Sequence, residues 1–159
     1  GQATAKMALG LGMKVIAADS FIDKVDVKVE FFDGQSVTTT IVSQSLESLF
    51  KEADFISLHV PAQNGYIISK AELAIMKDGV GIVNCARGGV IDEIALIEAL
   101  DSGKVGFAGL DVFESEPKPE IKILMHPKIS LTPHIGAATG EAQDRIGTEL
   151  AQQIISILG

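Results

Sequence analysis

The segment that decides the fold reads Val80-Gly81-Ile82-Val83-Asn84-Cys85-Ala86-Arg87-Gly88-Gly89-Val90-Ile91-Asp92. Its first four residues form a short apolar run, which is typical of a buried strand. From Asp92 onward the pattern is that of a helix that begins with acidic residues. Arg87 therefore follows the carboxyl end of a strand, where open α/β sheets bind their ligands. Its guanidinium stays charged and fits a carboxylate, although an exposed arginine in a turn is the alternative.

The composition is that of one soluble globular domain. The chain has 159 residues, of which 47% are hydrophobic and 21% charged. Charge or glycine interrupts every long apolar run, so no membrane span is predicted. The net charge of −8 argues against nucleic acid and anionic membranes as partners. The single cysteine, Cys85, excludes an internal disulfide and a cysteine-cluster metal site; we therefore expect a cytoplasmic protein without a bound metal.

Helical and strand patterns alternate along the whole chain. Helices are predicted over 1–11, 44–52, 70–76, 92–102 and 137–158, and strands over 13–19, 53–61, 80–83, 105–113 and 128–133. This order predicts a doubly wound parallel sheet of Rossmann type with right-handed crossovers. A complete dinucleotide-binding fingerprint would need a strand and two glycines before Gly1. We therefore expect the sheet to lack its first strand in this chain, which we interpret as an excerpt of a longer protein.

Two features near the start of the chain refine this prediction. Asp19 ends the strand predicted over 13–19, where an acid accepts hydrogen bonds from the adenosine ribose and disfavours the 2′-phosphate of NADP. This favours NAD as the cofactor, although an aspartate in a turn is the alternative. Two β-rich runs around Asp33-Gly34 predict an added hairpin near 25–42 with a type I′ turn. The hairpin contains no candidate catalytic group.

Three charged side chains follow the carboxyl ends of successive predicted strands: Arg87, Glu116 and His134. Arg87 would hold a carboxylate and polarise an adjacent oxygen, while His134 can carry a proton near neutral pH. Glu116 would orient the histidine and favour its protonated form if the two side chains touch. Such a set suits reversible hydride transfer at the carbinol carbon of a 2-hydroxy acid. The alternative is that Glu116 and His134 are loop residues that never meet.

The motifs around these residues resemble a known family. The D-isomer-specific 2-hydroxyacid dehydrogenases have three signatures that match, in order and spacing, Asn84-Cys85-Ala86-Arg87-Gly88-Gly89, Asp111-Val112-Phe113-Glu114-Ser115-Glu116-Pro117 and Thr132-Pro133-His134-Ile135-Gly136-Ala137. The resemblance covers nearly the whole chain and implies that residues 1–159 are a partial NAD-binding domain whose substrate domain is absent.

The resemblance also implies roles for individual residues. Arg87 would be the substrate-binding catalytic arginine, Glu116 the acid paired with the histidine, and His134 the general acid and base. The implied NAD site consists of Asp19, Val60, Cys85, Ala86, Arg87, Asp111, His134, Gly136 and Ala137. The family further implies a homodimer that acts on a small 2-hydroxy or 2-keto acid.

Within the family, residues 58–61 and 136–147 are most similar to phosphoglycerate dehydrogenases. This implies 3-phosphoglycerate as the substrate and a place in serine biosynthesis. The alternatives are a glyoxylate or hydroxypyruvate reductase and a D-lactate dehydrogenase. An alternative of another class is a regulator that binds NAD, similar to the transcriptional corepressors of this family.

Overall fold

The computed structural model describes residues 1–62 and 64–158. The helices in these residues are α1 (Gln2–Gly10), α2 (Leu46–Glu52), α3 (Lys70–Ile75), α4 (Glu93–Ser102), α5 (Ile121–Leu124) and α6 (Gly140–Leu158). The strands are β1 (Lys24–Glu30), β2 (Ser36–Val42), β3 (Phe55–Leu58), β4 (Val80–Asn84), β5 (Val105–Leu110) and β6 (Ile129–Leu131). Helices and strands alternate from β3 to α6, and apart from α5 each of these elements lies within or next to a predicted one.

Strands β3 to β6 form one sheet in that order, and all neighbouring pairs are parallel. The predicted parallel α/β fold is therefore confirmed. Asn84 pairs with Leu110, and Leu110 pairs with Leu131, so the carboxyl ends of β4, β5 and β6 lie at the same edge of the sheet. The core lies between the sheet and α4, where Ile82 and Leu96 are completely buried. Segments that leave the sheet at the carboxyl edge form the candidate site.

The strand predicted over 13–19 is not a strand in the structure. Ala17 makes an isolated parallel bridge with Ser43, and its carbonyl accepts a hydrogen bond of 2.9 Å from the N–H of Gln44. An extended segment becomes a strand only when a neighbour pairs with it repeatedly. The described residues contain no other strand that pairs with this segment. An apolar sequence pattern was therefore not enough to predict a strand here. Asp19 still ends an extended stretch of chain.

The hairpin near 25–42 is present, because β1 and β2 pair antiparallel with Glu30 opposite Ser36. The predicted type I′ turn is wrong. The N–H of Gly34 donates to the carbonyl of Phe31 at 3.1 Å, and Gly34 has φ +84°, whereas Asp33 lacks the positive φ that a type I′ turn requires. The connection is a three-residue loop over 32–34 that ends in a left-handed glycine.

One helix and one helix boundary differ from the predictions. The segment between the strands predicted over 105–113 and 128–133, for which no helix is predicted, contains α5, where Ile123 is completely buried and anchors the segment. The last helix begins at Gly140, where the Thr139 hydroxyl accepts the N–H of Ala142 at 3.2 Å and caps the helix. The apolar face of α6 is exposed, with Ile146 at 50%. None of the helices described is long and apolar enough to cross a membrane.

Candidate active site

The arginine loop, residues 84–89, is shaped by a buried amide at the end of β4. Asn84 is 3% exposed, and its Nδ2 donates to the carbonyl of Arg87 at 2.9 Å while its Oδ1 accepts the N–H of Ala86 at 3.0 Å. These two bonds close the loop and present the Arg87 side chain to solvent. Sequence reasoning assigned no role to Asn84; the signal was a polar residue that ends an otherwise apolar strand.

The guanidinium of Arg87 is available to bind an anion. Its Nη1 donates to the carbonyl of Ala86 at 2.6 Å, which steadies the side chain. No carboxylate among the described residues forms an ion pair with it. Because a guanidinium keeps its charge and has five N–H donors, most of its hydrogen-bonding capacity remains for a ligand.

Glu116 and His134 meet directly. His134 Nδ1 lies 2.6 Å from Glu116 Oε2, and the other carboxylate oxygen, Oε1, accepts the N–H of Phe113 at 2.9 Å. The hydrogen bond with His134, followed by the bond from Phe113, lowers the pKa of Glu116. The carboxylate therefore stays ionised and holds Nδ1, which leaves Nε2 of the half-exposed ring as the nitrogen that can exchange a proton with a ligand.

The backbone of His134 is held in an unusual conformation. His134 has φ 55°, and among the described residues it is the one non-glycine residue in the left-handed region. Such a conformation costs on the order of 1–3 kcal/mol and persists where surrounding contacts impose it.

The contact that imposes this conformation comes from Asp111. Its Oδ1 accepts the Thr132 hydroxyl at 2.5 Å and the N–H of Ile135 at 2.9 Å, and its Oδ2 accepts the N–H of Gly136 at 2.9 Å. Burial alone would raise the pKa of Asp111, but these three hydrogen bonds, with a smaller contribution from the charge of His134, lower it. A buried carboxylate at the end of β5 thus holds both sides of the segment that carries His134.

The arginine loop and the segment after β5 are in direct contact. A Cβ atom placed on Gly88 would lie 1.8 Å from the carbonyl oxygen of Phe113, so this approach requires a glycine. The contact places the Arg87 loop against the segment that continues to Glu116. The three candidate catalytic residues are thereby brought to one edge of the sheet, as their positions after successive strands predict.

A pair of acids, Glu93 and Glu114, joins the start of α4 to the segment after β5. The Glu93 carboxylate accepts the N–H of Glu114 at 2.8 Å, and the Glu114 carboxylate accepts the N–H of Glu93 at 2.9 Å and the Tyr66 hydroxyl at 3.3 Å. Glu93 is 6% exposed, and burial, with the nearby charge of Glu114, raises its pKa. This reciprocal pair ties the start of α4 to the loop before Glu116. Sequence reasoning missed it because the pairing is tertiary.

A cavity of about 450 Å³ opens beside the Glu116–His134 pair. Its walls are mostly apolar and include Phe113, Leu124 and Leu131. No lysine or arginine is among the described residues that line it. The cavity therefore provides an apolar wall beside the candidate acid–base pair, and among the described residues His134 is the one lining group that can carry a positive charge.

Asp19, the predicted ribose ligand, is exposed, and one of its two carboxylate oxygens accepts hydrogen bonds from the backbone. Its Oδ1 accepts the N–H groups of Phe21 and Ile22 at 2.8 and 3.0 Å, while its own N–H donates to the Ser43 hydroxyl at 2.8 Å. Oδ2 has no hydrogen bond with the described residues, so it can accept one from a ribose hydroxyl. The structure places Asp19 beside the end of the hairpin, and none of its hydrogen bonds reaches the Arg87, Glu116 and His134 group.

The other predicted NAD contacts follow adjacent strands at the carboxyl edge. Val60 comes after β3, Cys85 and Ala86 after β4, Asp111 after β5, and Gly136 and Ala137 after β6. Cys85, Gly136 and Ala137 are exposed, and a Cβ on Gly136 would lie 2.9 Å from Asp111 Oδ2. This arrangement fits a nucleotide that lies across the strand ends. The individual NAD contacts stay predictions.

Comparison with known proteins identifies the family. The profile of the D-isomer specific 2-hydroxyacid dehydrogenase NAD-binding domain matches residues 1–136. The chain belongs to this family. A hydroxypyruvate reductase of Thermotoga maritima is 50% identical over 164 aligned residues, which cover 100% of this chain and 50% of that protein. A D-3-phosphoglycerate dehydrogenase of Methanocaldococcus jannaschii is 43% identical over 160 residues, 99% of this chain and 29% of that protein.

Solved structures of the family have the same fold. The crystal structure of the D-lactate dehydrogenase of Aquifex aeolicus in complex with NAD and lactic acid is similar to this chain with a TM-score of 0.76 and 33% identity. The match covers 99% of this chain and 50% of that one. The chain therefore spans half or less of the length of the relatives described here.

Proposed function

We propose that the protein catalyses the reversible oxidation of a D-2-hydroxy acid to the corresponding 2-keto acid, with NAD as the cofactor. The observation that carries this proposal is the contact of 2.6 Å between His134 and Glu116 at the sheet edge that also presents Arg87, which forms no ion pair with the described residues. The proposal is supported by membership of the dehydrogenase family.

Each of the three residues has a distinct role in this mechanism. Arg87 binds the carboxylate of the substrate and polarises the oxygen on the neighbouring carbon. His134 removes the hydroxyl proton through Nε2 during oxidation and returns it to the keto oxygen during reduction. Glu116 orients the ring through Nδ1 and stabilises the imidazolium that forms. NAD, when bound, supplies the nicotinamide that accepts the hydride, and Asp19 would hold its ribose.

For the substrate we propose a small acid without a phosphate group, such as hydroxypyruvate or glyoxylate. The relative that is 50% identical is a hydroxypyruvate reductase, and no lysine or arginine is among the described residues that line the cavity beside His134. A phosphate would need positive charge to bind it. The second candidate is 3-phosphoglycerate, with a role in serine biosynthesis, because of the 43% identical D-3-phosphoglycerate dehydrogenase. A homodimer and a cytoplasmic location stay predictions.

The proposal is tested by following NADH absorbance in the complete protein with hydroxypyruvate, glyoxylate, D-lactate and 3-phosphoglycerate. We expect turnover to fall about 10²-fold or more in His134→Asn. Asparagine suits this position because it tolerates a left-handed backbone better than most residues. His126→Asn is the matched control, since His126 bonds to Asp101 at 3.3 Å outside the site.

Two results would contradict the proposal. Turnover near the wild-type level in His134→Asn would remove His134 from the mechanism. No turnover with any of the four acids, together with tight binding of NAD, would favour the alternative function of a regulator that binds NAD.

A further inference from the structure

The outer edge of β1 pairs with no other strand in the described part of the chain. On its inner side, the N–H of Phe31 bonds to the carbonyl of Gln35 at 2.9 Å, and the N–H of Ser43 bonds to the carbonyl of Asp23 at 2.7 Å. Hydrogen-bonded pairs recur at every second residue of an antiparallel ladder. The odd-numbered residues of β1 therefore face β2, and the backbone N–H and carbonyl groups that point outward belong to Lys24, Asp26, Lys28 and Glu30.

The side chains of these four residues are exposed and alternate in charge. The alternation is symmetric about Val27, the central residue of the strand. Lys24 and Glu30 are equidistant from Val27 and have opposite charges, and the same is true of Asp26 and Lys28. A strand with this property is complementary to an antiparallel copy of itself.

We propose that β1 pairs with β1 of a second copy of this chain, antiparallel and about a two-fold axis at Val27. In this register Lys24 of each copy lies opposite Glu30 of the other, and Asp26 lies opposite Lys28. The paired residues are the even-numbered ones, so the outward backbone groups of both strands also meet each other. The product is a four-stranded antiparallel sheet with an isologous interface.

Charge selects this register over its neighbours. A two-fold axis at Asp26 would place Lys24 opposite Lys28, and an axis at Lys28 would place Asp26 opposite Glu30. Like charges directly opposite each other destabilise a strand pair. Charges on an edge strand commonly prevent pairing altogether, but alternating charges that match a second copy attract it.

Helix α1 packs against β1, where a Cβ atom on Gly10 would lie 3.9 Å from Val29, and no strand covers the outer edge of β1 in the described part of the chain. An open groove of about 230 Å³ beside this edge is lined by Gln2, Ala3 and Lys6 of α1 and by residues 26–28. Within one copy, Glu30 is paired with Lys28 at 3.0 Å and with Lys6 at 3.6 Å. These pairs are exposed and therefore weak, so exchanging them for contacts between copies costs little.

The test is sedimentation velocity of the full chain over a wide range of concentration. Lys28→Glu would place acids opposite each other at two positions of the interface, and Asp26→Lys would place bases there. We expect each variant to self-associate about tenfold or more weakly than the wild type, since two attractive cross-strand pairs become repulsive. An equimolar mixture of the two variants restores every opposite-charge pair, and we expect it to associate as the wild type does.

Two further proteins complete the test. The double variant Asp26→Lys/Lys28→Glu keeps the symmetry and should associate normally. Lys122→Glu on α5 makes the same charge change at an exposed site away from the hairpin and should have no effect. If the complete protein is already a dimer through another surface, pairing of the β1 edges would join two dimers and double the mass of the sedimenting species.

Restoration by mixing distinguishes the proposal from misfolding, because two unfolded variants would not associate normally together. In the associated state, the N–H groups of Asp26 and Lys28 should become protected from hydrogen exchange as concentration rises. A wild-type protein whose state of association does not change over the concentration range overturns the proposal. Single variants that associate like the wild type, or a mixture that does not recover, would also overturn it.

Discussion

Replacing Asp111 with asparagine tests whether one buried carboxylate holds the segment that carries His134. The aspartate is 3% exposed and accepts three hydrogen bonds from residues 132–136. An asparagine can keep its oxygen toward the Thr132 hydroxyl and the N–H of Ile135, but its amide NH₂ would then face the N–H of Gly136. The hydrogen bonds from Thr132 and Ile135 would then be to a neutral amide instead of a carboxylate, and the N–H of Gly136 would lose its acceptor.

The magnitude follows from these changes. A hydrogen bond to a charged group contributes about 1.5–3 kcal/mol, a neutral one about 0.5–1.5, and a buried unsatisfied group costs about 1–3. Asparagine also avoids the desolvation of a buried charge, which offsets part of the loss. We therefore expect Asp111→Asn to lower the free energy of unfolding by about 2–4 kcal/mol at neutral pH.

The assay is urea denaturation of the chain followed by circular dichroism at several pH values. The folded state lowers the pKa of Asp111, so its ionised form stabilises the fold at neutral pH. This stabilisation is lost as pH falls through the acid range, and the difference between wild type and Asp111→Asn should shrink there. Asp78→Asn is the matched control, because Asp78 is 89% exposed and pairs with Lys104 at the surface. A loss below about 1 kcal/mol, or one independent of pH, would refute the reasoning.

Three other changes test the remaining contacts. Gly88→Ala should lower the free energy of unfolding by about 1–3 kcal/mol or more, since its Cβ would overlap the carbonyl oxygen of Phe113. Gly109→Ala in β5 is the control and should be tolerated, because its Cβ would lie 3.6 Å from the Val83 side chain. Equal denaturation midpoints for the two variants would contradict this expectation. The fold raises the pKa of Glu93, so the free energy of unfolding of the wild type should fall as pH rises above the pKa of an ordinary glutamate. Glu93→Gln lacks this titration, so its stability relative to the wild type should increase between acid and neutral pH, as measured by urea denaturation at each pH. Glu116→Gln removes the carboxylate that holds Nδ1 of His134, so we expect kcat for keto-acid reduction to fall about tenfold or more; turnover near the wild-type level would show that this contact does not act in the reaction.

The parts of the fold that could be predicted are those set by local pattern. β4 is a continuous apolar run, and the hairpin has β-rich segments around Asp33-Gly34, so neighbouring residues suffice to identify them. The stretch over 13–19 has an equally apolar pattern, but a strand also needs a paired neighbour, which sequence pattern does not supply. The type I′ turn failed for a related reason, because the backbone angle of Asp33 depends on how the two strands align.

The candidate site divides in the same way. Arg87, Glu116 and His134 were identified because each follows a strand end, and parallel strands bring such ends together. The contacts that hold these residues in place were not predicted. Asn84 and Glu93 act through hydrogen bonds to segments that fold against them, and both carboxylate oxygens of Asp111 accept hydrogen bonds from the segment that carries His134. Those partners depend on three-dimensional packing.

The close approach at Gly88 has a consequence for motion. The arginine loop lies against the segment after β5 with no room for a side chain between them, and the Glu93–Glu114 bonds join the start of α4 to the segment after β5. Arg87 therefore cannot move away from Glu116 and His134 unless both segments move together. A ligand that enters this site would therefore meet a backbone surface that changes shape little when the ligand binds.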